Sequence, residues 1–358
     1  MPIGFTRRRL IGSLLGGAAL AGAPFIFIRR SAAAARQRVV ISGWGGATQQ
    51  AMREAYFGPF TRDTGIEVVE QTYGEQGLAR VKAQLREGAA QVDLLDGAPF
   101  WMVVGRKQGL LGKIAVPGLA SSTFMPGAIS DYGFGYATVS WGITYLKQKT
   151  AAPRDWSQFW NTQAFKGRRA MFGPFVARHP EYALMADGVP QREVYPLNEA
   201  RIDRAFAKLR QLAPAIKVWY QTGAQCEQLL IDKQIDMCEF FSGRSYFLQD
   251  QGVPIEYVWN EAVMNILTFV AAKNAPNYEN AMKFLSYIAQ PAPQAAFANA
   301  IYYGPTNPKA LSLIKDQKTL TRLPTYAPNL KQQIVLDANW WGENVDRIAP
   351  RWSQLISG

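Results

Sequence analysis

The chain has 358 residues, 48% of them apolar and 12% aromatic, with a formal net charge of +12, two cysteines and a single histidine. That length exceeds the ~250–300 residues at which one core stops growing, so two domains or one large one are expected, and the apolar share argues against a disordered chain. Lysines and arginines are interspersed with acids rather than gathered into a stripe, which argues against a nucleic-acid surface.

Thr6-Arg7-Arg8-Arg9-Leu10-Ile11 leads into an uncharged run of 19 residues ending at Ile28, and Ser31-Ala32-Ala33-Ala34-Ala35 follows. Arginines ahead of an apolar core and small residues behind it read as an export signal over residues 1–35, and the opening resembles the twin-arginine motif. Cleavage would leave a periplasmic chain. An uncleaved membrane tether is the alternative, because the run is long enough to span a bilayer, although four glycines and Pro24 make it a poor helix. This segment holds Arg7, Arg8, Arg9, Arg29 and Arg30 and no acid, so without it the charge falls from +12 to +7.

Val39-Val40-Ile41 is a β-branched run ending in Ser42-Gly43-Trp44-Gly45-Gly46, after which Met52, Ala55, Tyr56 and Phe60 recur at helical spacing up to Gly65. Residues 66–73 alternate as a strand, Leu78, Val81 and Leu85 mark a helix ending at Gly88, and residues 92–95 form a third strand. The pattern resumes with a strand at 169–172 and a helix carrying Ile202, Phe206, Leu209 and Leu212. Strands at 217–220, 237–241 and 255–259 follow, with helices beginning near Gln225 and Arg244 between them. A long apolar strand at 264–272 and a helix with Ala281, Phe284, Leu285 and Ile288 come last, before Pro291 and Pro293. Strands alternating with helices indicate parallel β-α-β units and two α/β lobes. The glycine turn after the first strand lets the backbone approach a ligand, and the helix opening near Ala47 would favour an anion there.

Catalytic signatures are sparse. His179, beside Pro180, is the one histidine and reads as a loop residue, so no serine or cysteine nucleophile has a base of the usual kind. Gly243-Arg244-Ser245 starts like a nucleophile elbow but lacks its second glycine, and no glycine pattern fits a nucleotide loop. No His, Cys, Asp and Glu cluster has metal-ligand spacing. Tyr302-Tyr303 is the one pair that suits ferric iron through phenolates. Cys226 and Cys238 are either bridged or two buried free thiols.

Several short pieces stand out for their order and spacing: Ile41-Ser42-Gly43-Trp44-Gly45-Gly46, Val92-Asp93-Leu94-Leu95, Trp156-x-x-Phe159-Trp160, Phe165-Lys166-Gly167, Ala281-Met282-Lys283-Phe284-Leu285 and Gly304-Pro305-Thr306-Asn307-Pro308. In these the chain resembles the periplasmic solute-binding proteins of the spermidine/putrescine branch of ABC importers. The resemblance implies an α/β, two-lobed periplasmic-binding-protein fold of type II, each lobe a mainly parallel sheet flanked by helices, with the ligand cleft between lobes. Residues 36–137 and 264–312 would form lobe 1, and residues 138–263 and 313–358 lobe 2. With those catalytic and metal-ligand patterns missing, no enzyme, no cofactor and no metal are expected. The chain is expected to be a monomer that takes a small-molecule solute to ABC permease transmembrane subunits.

Carried over residue by residue, the family's site falls on Trp44, Gly45, Trp101, Trp141, Phe241, Asn265 and Tyr303, with Asp96 able to hold one amine and Arg244 at the cleft edge. Two departures bear on the solute. The return crossover, where the family has Trp-Met-Asp, reads Val263-Met264-Asn265, and the loop Phe172-Gly173-Pro174-Phe175 has no acid before Glu181. A polyamine would lose two carboxylate partners, each charge-assisted bond contributing about 1.5–3 kcal/mol. Arg244, unless it is an ordinary ion pair, suits a carboxylate or phosphonate, so an amino-acid-, opine- or phosphonate-like solute is expected. The other readings are a ferric-iron binder using Tyr302 and Tyr303, and an exported enzyme using Asp96 or Glu181 as a base.

Overall fold

A computed structural model describes residues 37–357 except 148 and 150; the expected export signal lies outside the described residues. Eight main strands are β1 (Arg38–Gly43), β2 (Glu67–Thr72), β3 (Leu94–Gly97), β4 (Gly133–Leu146), β5 (Arg169–Phe172), β6 (Ile216–Tyr220), β7 (Met237–Phe241) and β8 (Ile255–Ala272). They lie in one sheet in the order β2-β1-β3-β8-β4-β7-β5-β6. Strands β2, β1 and β3 run parallel in one wing, and β7, β5 and β6 run parallel in the other. The long strands β4 and β8 pair antiparallel with each other and join the wings. Among the helices that position the site are α1 (Gly46–Met52), α2 (Trp101–Lys107), α3 (His179–Ala186), α4 (Gly223–Ile231), α5 (Ser242–Asp250) and α6 (Ala338–Ser357).

The β-branched run at 39–41 is buried in β1, and Gly65 ends its helix in the left-handed region at φ 71°, where a side chain would be strained. Within each wing, every parallel pair needs a crossover through a helix, which is why the chain alternates elements. Two stretches depart from the periodic reading. Residues 255–259 and 264–272 were expected as separate strands, but they belong to the single strand β8. Its ladder to β4 slips between Val258 and Val263, where Glu261 takes φ 63°. Trp156 holds that bulge by donating its amide to Glu261 Oε2 and its indole Nε1–H to the Glu261 carbonyl, both at 2.9 Å. Strand β4 is almost wholly buried and therefore shows little alternation, and α6 lies beyond the elements that periodicity picked out.

Helix α6 docks on α2 through Gly342, where a Cβ atom would collide with the side chain of Val103. Gly342→Ala should therefore overpack this contact and cost about 1–3 kcal/mol, read as a lower midpoint in denaturant at unchanged slope. An unaltered midpoint would mean that α6 does not dock there. Among the described residues no helix is long and apolar enough to cross a membrane.

Candidate functional site

The carboxyl ends of six strands converge on one cavity of about 580 Å³. This is where an open α/β sheet exposes backbone and helix starts to a ligand. Strands β1, β2 and β3 end in Trp44-Gly45-Gly46, in Tyr73 to Gln76 and in Asp96 to Phe100. Across the cavity, β5 continues into Phe172 to Arg178, β6 into Gln221 to Ala224, and β7 into Phe241 to Arg244. The antiparallel pair supplies the floor: Trp141 on β4 lies opposite both Phe241 on β7 and Val263 on β8, while Asn265 lies opposite Val139.

Of the nine residues expected at the site, Trp44, Gly45, Asp96, Trp141, Phe241, Arg244, Asn265 and Tyr303 line the cavity. Trp101 stands one layer behind, with its ring 5.8 Å from that of Trp44 and its six-membered ring filling the space over Gly77 and Gly97. Val263 and Met264 are fully buried in β8. The turn at Trp44 depends on glycine, because Gly45 and Gly46 adopt φ 76° and 63°. One amide of the turn is already engaged, since the Gly45 N–H donates to Gln49 Oε1 at 2.9 Å.

The walls are aromatic. Trp141 packs on Phe241 with ring centres 3.6 Å apart and on Phe172 at 5.2 Å, and Phe175 bridges the wings by meeting Trp44 edge-on at 6.3 Å and Phe100 at 5.9 Å.

Ionisable groups are divided between the two sides. On the β3 side Asp96 is 4% exposed and accepts one hydrogen bond, from the Tyr136 hydroxyl at 3.1 Å. Burial pushes its pKa up to about 8, only partly opposed by that bond. Glu75 sits at the rim of the same side, also raised by burial. On the other side are two arginines. Arg244 Nη1 donates to Glu227 Oε1 at 3.0 Å, and its Cζ lies 5.1 Å above Phe241. Burial pulls the Arg244 pKa down, but Tyr303 and Glu227 outweigh it and leave the guanidinium firmly charged. Arg178 lies over Trp141 at 3.9 Å and donates its Nε–H to Glu239 Oε1 at 3.3 Å. Arg178 Nη2, Arg244 Nε and Asn265 Oδ1 are buried polar atoms with no hydrogen-bond partner among the described residues. Leaving such atoms unpaired costs about 1–3 kcal/mol each.

Arg178, Phe172, Phe175, Tyr73, Glu75 and Gln221 were not anticipated. The loop after β5 drew attention because it lacks an acid, yet its first charge is the cation Arg178. His179, expected in a loop, is fully buried in the first turn of α3 and stacks on Trp352 with ring centres 4.1 Å apart. Glu181 faces away from the cavity and accepts from Tyr195 and from the Trp341 indole, both at 2.6 Å, so it is no base for a bound solute. Tyr302 and Tyr303 diverge: Tyr302 bonds to Asp250 on the surface, whereas Tyr303 lies in the cavity with its hydroxyl 3.4 Å from Thr48 Oγ1. They do not form a phenolate pair. Cys226 and Cys238 are both buried free thiols, with Sγ atoms 3.6 Å apart.

Residues 55–327 match the sequence profile of a family described as bacterial extracellular solute-binding protein. A gamma-aminobutyric acid-binding protein of Pseudomonas aeruginosa is 32% identical over 329 residues, which is 90% of this chain and 92% of that protein. The spermidine/putrescine-binding periplasmic protein of Escherichia coli (strain K12) is 23% identical over 278 residues, 72% of this chain and 75% of that one. Among solved structures, a periplasmic binding protein from A. tumefaciens B6 in complex with glucopine aligns with a TM-score of 0.84 at 26% identity, covering 89% of this chain and all 100% of its own.

Proposed function

The chain belongs to the bacterial extracellular solute-binding protein family, the solute-capturing components of ABC transporters, and from that premise we propose that its solute is a zwitterion bearing a carboxylate and an amine rather than a polyamine. The reading rests above all on the division of ionisable groups across one aromatic cavity: Arg178 and Arg244 line one side, and Asp96 stands buried without a cation on the other. A guanidinium edge matches a carboxylate, and an ionised aspartate with aromatic faces matches an ammonium group. Putrescine would bring a second cation against the arginine wall, where like charges repel.

A cavity of about 580 Å³ is roomy for a four-carbon amino acid and falls in the ~300–1,000 Å³ range of sites for larger ligands. An amino acid carrying an N-linked substituent of opine size fits this space better than gamma-aminobutyrate alone. The relatives that bind gamma-aminobutyric acid and glucopine favour the same class. Capture would proceed by closure of two lobes, residues 36–137 with 264–312 against residues 138–263 with 313–358, about the β4/β8 pair. The exported monomer would then dock on its permease, with residues 1–35 serving as the export signal. Mass spectrometry of the solute retained by the purified protein tests the class: a zwitterionic acid is expected, and a bound polyamine would refute it.

Gly223, the first residue of α4, supports the arginine wall by having no side chain. A Cβ atom there would stand 2.5 Å from Arg244 Nη1. Gly223→Ala should displace that guanidinium and weaken binding of the retained solute about tenfold in calorimetry, with a melting temperature little changed. Undiminished affinity would remove Arg244 from the site.

A further inference from the structure

Arg178 is held in a way that its own contacts with the cavity do not explain. It takes φ 86° and ψ −31°, a strained backbone for a residue with a side chain, at the entry to α3. Its Nε edge is bound to Glu239 Oε1, its face lies on Trp141, and its Nη2 is left over. Glu239 lies on β7 one layer behind the cavity and is itself pinned. Its Oε2 accepts the Phe172 amide at 3.1 Å and lies 3.0 Å from His179 Nε2, while the Tyr220 hydroxyl donates to its carbonyl at 2.8 Å. Burial raises the Glu239 carboxyl, but His179 and Arg178 outweigh that and hold it below its ordinary value, so it stays an anion. The His179 ring is braced in turn by Trp352, whose indole donates to the Gly173 carbonyl at 2.6 Å.

We infer that Glu239, backed by His179, is a positioning residue that holds the Nε–H edge of the Arg178 guanidinium over Trp141 and thereby sets how the rest of the fork meets a solute carboxylate in the cavity. Because the guanidinium is a planar fork, fixing its Nε side determines where its remaining N–H groups point. The inference rests on the zwitterion reading for the identity of the acceptor, but not for the geometry of the arginine. A simple neutralising role for Glu239 predicts the opposite sign: removing an anion beside Arg178 would strengthen carboxylate binding, whereas removing a positioning contact weakens it.

The full exported chain and its Glu239→Gln variant distinguish these two roles. Calorimetry would compare γ-aminobutyrate with its carboxamide, γ-aminobutyramide, and heteronuclear NMR would follow hydrogen exchange at the Arg178 Nε–H, identified by its loss in Arg178→Lys. The expected result is a preference for acid over amide about tenfold smaller in Glu239→Gln, together with faster exchange at Arg178. A preference that rises or stays the same, or an Nε–H still as protected as in the parent, overturns the inference. If Glu239→Gln does not fold, His179→Phe keeps the stack on Trp352 while losing the nitrogen that faces Glu239, and it should shift both readouts in the same direction. Failure of the zwitterion reading looks different: the parent protein itself would show no preference for acid over amide, and the exchange measurement alone would then decide the positioning role.

Discussion

Arg178→Met should lower affinity for the carboxylate-bearing solute about 100-fold at neutral pH, and the residual binding should no longer distinguish a carboxylate from a carboxamide. A charge-assisted bond in an aromatic cavity is worth about 1.5–3 kcal/mol, and Arg178 lines such a cavity. The substitution has a second consequence, because Glu239 is fully buried and would lose its guanidinium partner. A stranded buried anion costs about 3–5 kcal/mol, so the single variant should also melt well below the parent. Combining it with Glu239→Gln removes the stranded charge and should restore much of the stability but none of the affinity. Calorimetry and thermal melting on the two variants separate these effects, and retention of full affinity by either would exclude Arg178 from binding.

Asp96→Asn should act in opposite directions on stability and on binding. An aspartate titrates near 3.9 in an unfolded chain, whereas here burial moves it to about 8. Between those values the folded protein holds a proton that the unfolded chain has lost. Stability of the solute-free protein therefore falls as pH rises through that window and levels off above about 8, by up to roughly 5 kcal/mol in all. Asparagine carries no such charge, so Asp96→Asn should flatten the profile and be the more stable form at alkaline pH. Binding has the reverse sign. An ammonium group needs the ionised carboxylate, so capture should expel a proton, and parent affinity should rise toward about pH 8. The asparagine variant should bind about 100-fold more weakly there. Thermal melts across pH with calorimetry at each point test both halves; a variant that keeps the parent's slope, or its affinity, contradicts the role given to Asp96.

Much of the fold was legible because its parallel wings obey local rules. β1, β5 and β7 are apolar runs bounded by glycine or polar turns, and their helices carry apolar residues at regular spacing. What periodicity missed was the connection between the wings. β4 is buried along nearly its whole length and β8 bends through a bulge at Glu261, so neither displays a repeat of two. At the site, aromatic residues at strand ends marked Trp44 and Phe241, since the strand's carboxyl end already fixes their place, whereas Trp141, inside β4, was reached through the family resemblance. Arg178 carried no such mark: its role comes from a left-handed backbone and from a glutamate 61 residues away on β7, a pairing that only the folded chain creates. His179 looked idle for the same reason, because its partners Glu239 and Trp352 are remote in sequence.

Titration calorimetry of the exported protein with γ-aminobutyrate, an opine such as glucopine and putrescine tests the polarised cavity most directly. The expected result is heat of binding from a zwitterion, accompanied by proton release that disappears in Asp96→Asn, and none from putrescine at comparable concentration. Tighter binding of putrescine than of either zwitterion would contradict the account.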